Sequence, residues 1–202
     1  MNRFLGCLLL FLTAFPLSAE TAPVILVLGD SLSAGYGIRQ EAAWPALLDK
    51  RLRERNIDYN VVNASISGET SSGGRSRLPA LLSRHAPRIV VIALGSNDGL
   101  RGLPIAALRD NLIGMVDAAQ KANARVLLVG QRLPPNFGDY ADTFHRSFAE
   151  IASARKTARV DFLLDGIVSR REFFQADNLH PTAEAQPILL ETVWKSLAPL
   201  LK

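Results

Sequence analysis

The chain has 202 residues, of which 48% are hydrophobic, and a formal charge of +4 at pH 7. That is enough for one domain with a proper core, and it excludes a disordered or fibrous chain. The small basic surplus is scattered over segments such as "DKRLRER" and "SARKTAR", the pattern of solvated helix faces, so no nucleic-acid-binding patch is expected.

Residues 1–19 read as a signal peptide. Arg3 gives a positive start, "FLGCLLLFLTAF" an apolar stretch, and "PLSA" a small-residue end suited to cleavage after Ala19. Pro16 interrupts the apolar run and polar residues follow at once, which disfavours an uncleaved membrane anchor. Cys7, the only cysteine, leaves with the leader, so the remaining domain should have no disulfide, thiol nucleophile or cysteine metal site. Loss of Arg3 leaves 22 basic against 19 acidic side chains, a balance of +3. The expectation is a single domain over 20–202, periplasmic or secreted, monomeric and without stable membrane insertion.

Five short runs rich in Val, Ile and Leu punctuate that domain: "PVILVLGD" (23–30), "DYNVVNA" (58–64), "RIVVIALG" (88–95), "RVLLVG" (125–130) and "VDFLLD" (160–165). They read as strands buried on both faces. Helical patterns separate them. Trp44, Leu47, Leu48 and Leu52 share one face, as do Ile105, Leu108, Leu112, Met115 and Ala119, with Pro104 placed for a first turn. Tyr140, Phe144, Phe148 and Ile151 form a third stripe, and Leu189, Val193 and Leu197 a last one. The patch "SISGETSSGGRS" (65–76) is placed as a loop between the second strand and the helical "RLPALLSRH". Alternating strands and helices imply a three-layer α/β/α sandwich around a five-stranded parallel sheet.

Open parallel sheets place ligands at the carboxyl ends of their strands. Ser31 follows the first run, Gly68 the second, Asn97 and Asp98 the third, and Asp177 and His180 come after the fifth. These are the types acyl transfer requires. A serine hydroxyl needs an imidazole to accept its proton, and the imidazole needs a carboxylate to fix its tautomer. Asp177 and His180 are three residues apart, so one turn presents both to the same side. Backbone N–H groups of Ser31 and Gly68 and the Asn97 amide could form an oxyanion hole, for which a residue without Cβ suits position 68. Asp30 and Asp98 compete for the acid role, but Asp30 suits holding the turn and Asp98 buttressing the Asn97 loop. His85, at a helix end, and His145, within an amphipathic helix, follow no strand's carboxyl end. Arg101 reads as a solvated loop residue near the site. Pro134, Pro135 and Phe137 in "QRLPPNFGDYAD" (131–142), together with Leu103, are candidates to line an acyl pocket.

"GDSLSAGYG", "SISGETSSGG", "LGSNDGLRG" and "DNLHP" stand in the order of the four blocks of the SGNH, or GDSL, hydrolases, which the domain resembles. "HPTAEAQP" and "GLRG" narrow the resemblance to the small exported bacterial acyl-thioesterases with lysophospholipase and arylesterase activity. Ser96 departs from relatives that often carry Gly or Ala. The resemblance implies a flavodoxin-like fold, Ser31 as nucleophile, His180 as base, Asp177 as its orienter, Ser31, Gly68 and Asn97 as oxyanion donors, and no metal or organic cofactor. It implies hydrolysis of fatty acyl, lysophospholipid or aryl esters and thioesters. A carbohydrate acetylesterase is the alternative within the family. A flavodoxin-like binding module is disfavoured, since neither G-x-x-x-x-G-K-[ST] nor G-x-G-x-x-G occurs. Nor does the G-x-S-x-G elbow fit, because Ser33 stands where its last glycine would.

Overall fold

In the computed structural model, which describes residues 22–202, the apolar runs pair side by side as β1 (Val24–Gly29), β2 (Asn60–Asn63), β3 (Ile89–Ala93), β4 (Arg125–Val129) and β5 (Ala158–Val160). The leader reading, with Arg3, Cys7 and the Ala19 cleavage point, falls outside the described residues. All pairings are parallel and the strand order is β2-β1-β3-β4-β5. The order reverses direction beside β1, so the loops after β1 and β3 diverge and leave a crevice between them.

The helices are α1 (Ser31–Ala34), α2 (Trp44–Glu54), α3 (Ser71–His85), α4 (Ser96–Leu100), α5 (Ile105–Lys121), α6 (Asp139–Ala154) and α7 (Gln186–Leu197). Two apolar clusters cover the two faces of the sheet. On one, Trp44, Leu48 and Leu52 of α2 and Leu189, Val193 and Leu197 of α7 pack on Ile25, Val27, Val91 and Leu127. On the other, Leu78 of α3, Leu112 and Met115 of α5, and Phe144 and Phe148 of α6 pack on Leu26, Leu28, Val90 and Leu128. Each such fully buried side chain contributes about 1.5–3 kcal/mol of transfer free energy. Phe144, Phe148 and Ile151 of the third predicted stripe are therefore core, with Phe144 and Phe148 edge to face at a centroid distance of 5.4 Å, while Tyr140 is only half-buried at its end.

Burial on both faces holds for β1, β3 and β4 but not for the edges. β2 is exposed at both ends and only partly buried between, and β5 is partly buried at Ala158 and Arg159, because neither α-layer extends fully over the sheet's margins. The fifth strand also lies earlier than "VDFLLD" suggests. The ladder ends where Gly130 N–H donates to the Val160 carbonyl and Leu163 N–H returns to the Gly130 carbonyl, after which Phe162 and Leu163 fill the core from a loop.

The helix α3 starts inside the Ser/Gly patch. Thr70 Oγ1 accepts from Gly73 N–H, and the Asp98 carboxylate accepts from Ser71 N–H at 2.8 Å and Ser71 Oγ at 2.6 Å, which satisfies donors that would otherwise fray. Gly74 weakens a helix in isolation, yet here a Cβ would collide with Leu94 against the sheet. Close helix–sheet approach explains a composition that reads locally as a spacer.

Candidate active site

The turn after β1 is capped at both ends. Asp30 Oδ1 accepts the Leu32 N–H at 3.0 Å, and Gly35 closes α1 in the left-handed region at φ 75°. Ser31 is thereby held as the first helical residue, directly beyond a buried strand.

A second, longer connection brings the imidazole. Phe174 and Pro181 form an isolated antiparallel bridge, and Gln175 N–H donates to the His180 carbonyl at 2.8 Å. Asn178 turns the chain with φ 58°. Asp177 Oδ1 accepts from the backbone N–H groups of Leu179 and His180, each at 3.0 Å, while His180 Nδ1 donates to Asp177 Oδ2 at 2.7 Å. These bonds, the imidazole first, hold the Asp177 carboxyl well below the usual carboxylate range. With Nδ1 committed to the carboxylate, Nε2 is left as an acceptor and lies 2.9 Å from Ser31 Oγ. The structure thus brings Ser31, His180 and Asp177 into one line. The Tyr36 ring packs on His180 at a centroid distance of 4.3 Å.

Gly68 and Asn97 stand on the opposite wall. Gly68 has φ 80°, and Arg101 Nη2 donates to its carbonyl at 3.1 Å, so this arginine secures the loop instead of being merely solvated. Asn97 Nδ2 donates to the Glu69 carbonyl at 2.9 Å and lies 3.5 Å from Asp30 Oδ2, which fixes the amide plane. Ser31, Gly68, Asn97, Tyr36 and His180 line a pocket of about 260 Å³. It adjoins a larger cavity of about 640 Å³, with Leu32, Ser96, Leu100 and Leu179 on the walls of both.

Of the proposed pocket residues, Pro134 and Pro135 line the larger cavity, whereas Leu103 and Phe137 line neither space. The Leu103 side chain points outward while its carbonyl accepts from Tyr140 Oη at 2.6 Å, and the turn at Pro135–Phe137 sets the Phe137 ring against Tyr140. Sequence reasoning missed Leu32, Leu133, Phe162, Leu164, Val168 and Leu179 on the cavity wall. Four of these come from 162–179: Phe162 and Leu164 sit in the run that reads as the fifth strand, and Val168 and Leu179 in a stretch without periodicity.

The rival residues have other partners. Asp98 receives the start of α3, and His85 ends α3 near the amino edge of the sheet. His145 Nδ1 lies 3.1 Å from the Gln131 carbonyl and its Nε2 3.7 Å from Asp161. Among the described residues no cluster of His, Cys, Asp and Glu could hold a metal ion, and no helix is long and apolar enough to cross a membrane.

Asp30 is fully buried, and burial pushes its carboxyl up to about 6 against opposing hydrogen bonds. A carboxyl with a raised native pKa binds more protons folded than unfolded, so its contribution favours the native state below the unfolded pKa. That contribution is lost as pH rises through about 4 to 6, on the order of 3 kcal/mol in all. Asp30→Asn should remove this loss, and thermal melts of both proteins across the window measure it. Parallel melting curves at every pH would exclude the effect.

Residues 27–187 match the GDSL-like Lipase/Acylhydrolase family. The chain is 50% identical over 197 residues to "Esterase TesA" of Pseudomonas aeruginosa, an alignment covering 97% of this chain and 96% of the relative. It is 40% identical over 193 residues to "Thioesterase 1/protease 1/lysophospholipase L1" of Escherichia coli, covering 95% and 91%. A crystal structure of TesA superposes with a TM-score of 0.86 at 50% identity, over 88% of this chain and 99% of that one. With sheet order, block residues and full-length similarity in agreement, the chain belongs to the GDSL-like lipase/acylhydrolase family.

Proposed function

We propose that the protein hydrolyses fatty acyl esters and thioesters through an acyl-enzyme on Ser31, with His180 as general base, then acid, and Asp177 holding the imidazole. The observation that carries this reading is the line from Ser31 Oγ to His180 Nε2 and from His180 Nδ1 to Asp177 Oδ2, at 2.9 and 2.7 Å, opening beside an apolar cavity. His180 takes the Ser31 proton as Oγ attacks the acyl carbon. The oxyanion is received by the N–H groups of Ser31 and Gly68 and by Asn97 Nδ2, which keeps the Glu69 carbonyl and gives up its long 3.5 Å contact to Asp30 Oδ2, and each such donor is worth about 3 kcal/mol in the transition state. His180 then protonates the leaving alkoxide or thiolate. Water, activated by the same imidazole, releases the acid and restores the serine.

The cavity wall of Leu32, Leu133, Phe162 and Leu164 supports a fatty acyl chain over an acetyl group on a sugar. The names of the relatives, esterase and thioesterase with lysophospholipase, accord with that class. The leader reading of residues 1–19 adds export to the periplasm. The test is kcat/KM over a series of aryl esters and acyl thioesters of rising chain length, with an acetylated sugar alongside. Efficiency should climb with chain length until the cavity is filled and be lowest for the sugar acetate. A preference for the acetylated sugar would overturn the substrate class.

A further inference from the structure

The imidazole stands on a long connection whose regular structure is one 3-10 turn (Arg171–Phe173) and the Phe174–Pro181 bridge, and Asp177, Asn178 and Leu179 around it are exposed. The Ser31 to His180 bond must nonetheless be kept across 149 residues of sequence. From the geometry we infer that Gln175 is a positioning residue that fastens the His180 loop to the Ser31 turn. This inference rests on the acyl-enzyme reading of the site.

The Gln175 side-chain amide reaches both loops at once. Its Nε2 donates to the Tyr36 carbonyl at 2.7 Å, on the turn that leaves α1, and to the Pro181 carbonyl at 3.0 Å, the residue after His180. Its backbone N–H donates to the His180 carbonyl at 2.8 Å. One residue therefore holds the carbonyls of His180 and Pro181 and ties them to the residue whose ring packs on the imidazole. Both hydrogens of the amide are used, and no carboxylate or hydroxyl could make the same pair of donations.

Gly37 provides independent support. It lies at φ 73°, next to Tyr36, and a Cβ there would overlap the Gln175 Oε1 atom. The nucleophile turn is thus shaped to admit the amide. Tyr36 links the two loops, since its carbonyl is held by Gln175 and its ring packs on His180.

The energetic logic is that of proximity. An unfastened loop leaves most of the acyl cavity in place, because Leu32, Leu133, Phe162 and Leu164 lie outside that loop and only Phe174, Asn178 and Leu179 belong to it, but lets Nε2 drift from Oγ. Misplacement of about 1 Å can cost about a hundredfold in rate. Gln175→Met keeps the volume and removes both donors, and Gln175→Ala removes the contact altogether. Either should lower kcat by about tenfold to a hundredfold, with KM rising by a smaller factor through Leu179 on the cavity wall. Gly37→Ala, which displaces the amide from the other side, should lower kcat in the same direction.

A double-mutant cycle separates positioning from general loosening. In a His180→Ala background the residual hydrolysis of an activated aryl ester no longer depends on where the imidazole sits, so adding Gln175→Met should change it by less than about twofold. Unchanged kcat in Gln175→Met, a loss confined to KM, or an equal loss in the His180→Ala background would each overturn the assignment. Ester hydrolysis by the parent protein that His180→Ala leaves undiminished would instead overturn the acyl-enzyme reading beneath it.

Discussion

Ser31→Ala should abolish turnover, lowering kcat by about a millionfold, as loss of a triad nucleophile does in other serine hydrolases. Only the Oγ atom is removed. Ser31 is partly exposed at the head of α1, and the cap at Asp30 and the left-handed Gly35 do not involve its hydroxyl, so the turn keeps its shape. The acyl cavity lies to the side and should still bind a long-chain ester or the fatty acid product. The measurement pairs steady-state hydrolysis with product binding, and adds mass spectrometry after reaction with a serine-directed organophosphonate. The parent protein should carry one phosphonyl group on the peptide containing Ser31, and the variant none. Undiminished hydrolysis in the variant, or label found on another serine, would refute the assignment.

The second large effect is Asp177→Asn. The carboxylate accepts three N–H donors, two from backbone and one from the His180 ring. An amide can keep the backbone donors on its oxygen, but its own N–H₂ would then face Nδ1. The imidazole would turn to the other tautomer, with Nε2 protonated and unable to accept from Ser31 Oγ. Comparable replacements cost about ten-thousandfold; here the side chain is 41% exposed and water can stand in, so about a thousandfold is expected.

The pH dependence follows with a definite sign. Asp177 is held well below the ordinary carboxylate range and stays charged through weakly acidic pH. Protonation of the His180 imidazole removes the lone pair that accepts the Ser31 proton, so kcat/KM of the parent should fall as pH falls. Rate profiles of the parent and Asp177→Asn across that range report both effects. An Asn variant with parental activity would show that the acid is elsewhere, and a parental rate that does not fall on acidification would remove the imidazole from the mechanism.

How far the chain could be read in advance varied with the kind of interaction. β1, β3 and β4 announce themselves because a central parallel strand is apolar on every side, and a run such as "VILVL" has few other uses. The edges misled for the same reason: β2 and β5 have one neighbour each and need less apolar sequence, so "VDFLLD" looked more like a strand than Ala158–Val160 does. The start of α3 was hidden because one of its caps, Asp98, lies 27 residues downstream of Ser71.

Local order and chemistry were the sequence's own contribution. Hydrophobic alternation specifies strands and helices, parallel strands oblige every connecting loop to share one edge, and Ser31, Gly68, Asn97, Asp177 and His180 stand where those loops begin or return. Only the tertiary structure decided which side chains wall the cavity and what holds the His180 loop. Leu164 sits in a run that reads as a strand, Val168 and Leu179 belong to a stretch without periodicity, Leu103 and Phe137 were turned away by contacts with Tyr140, and the Gln175 amide meets a carbonyl 139 residues distant. Periodicity is written in neighbouring residues and survives in the bare chain, whereas the direction of a loop side chain depends on partners that only folding brings within reach.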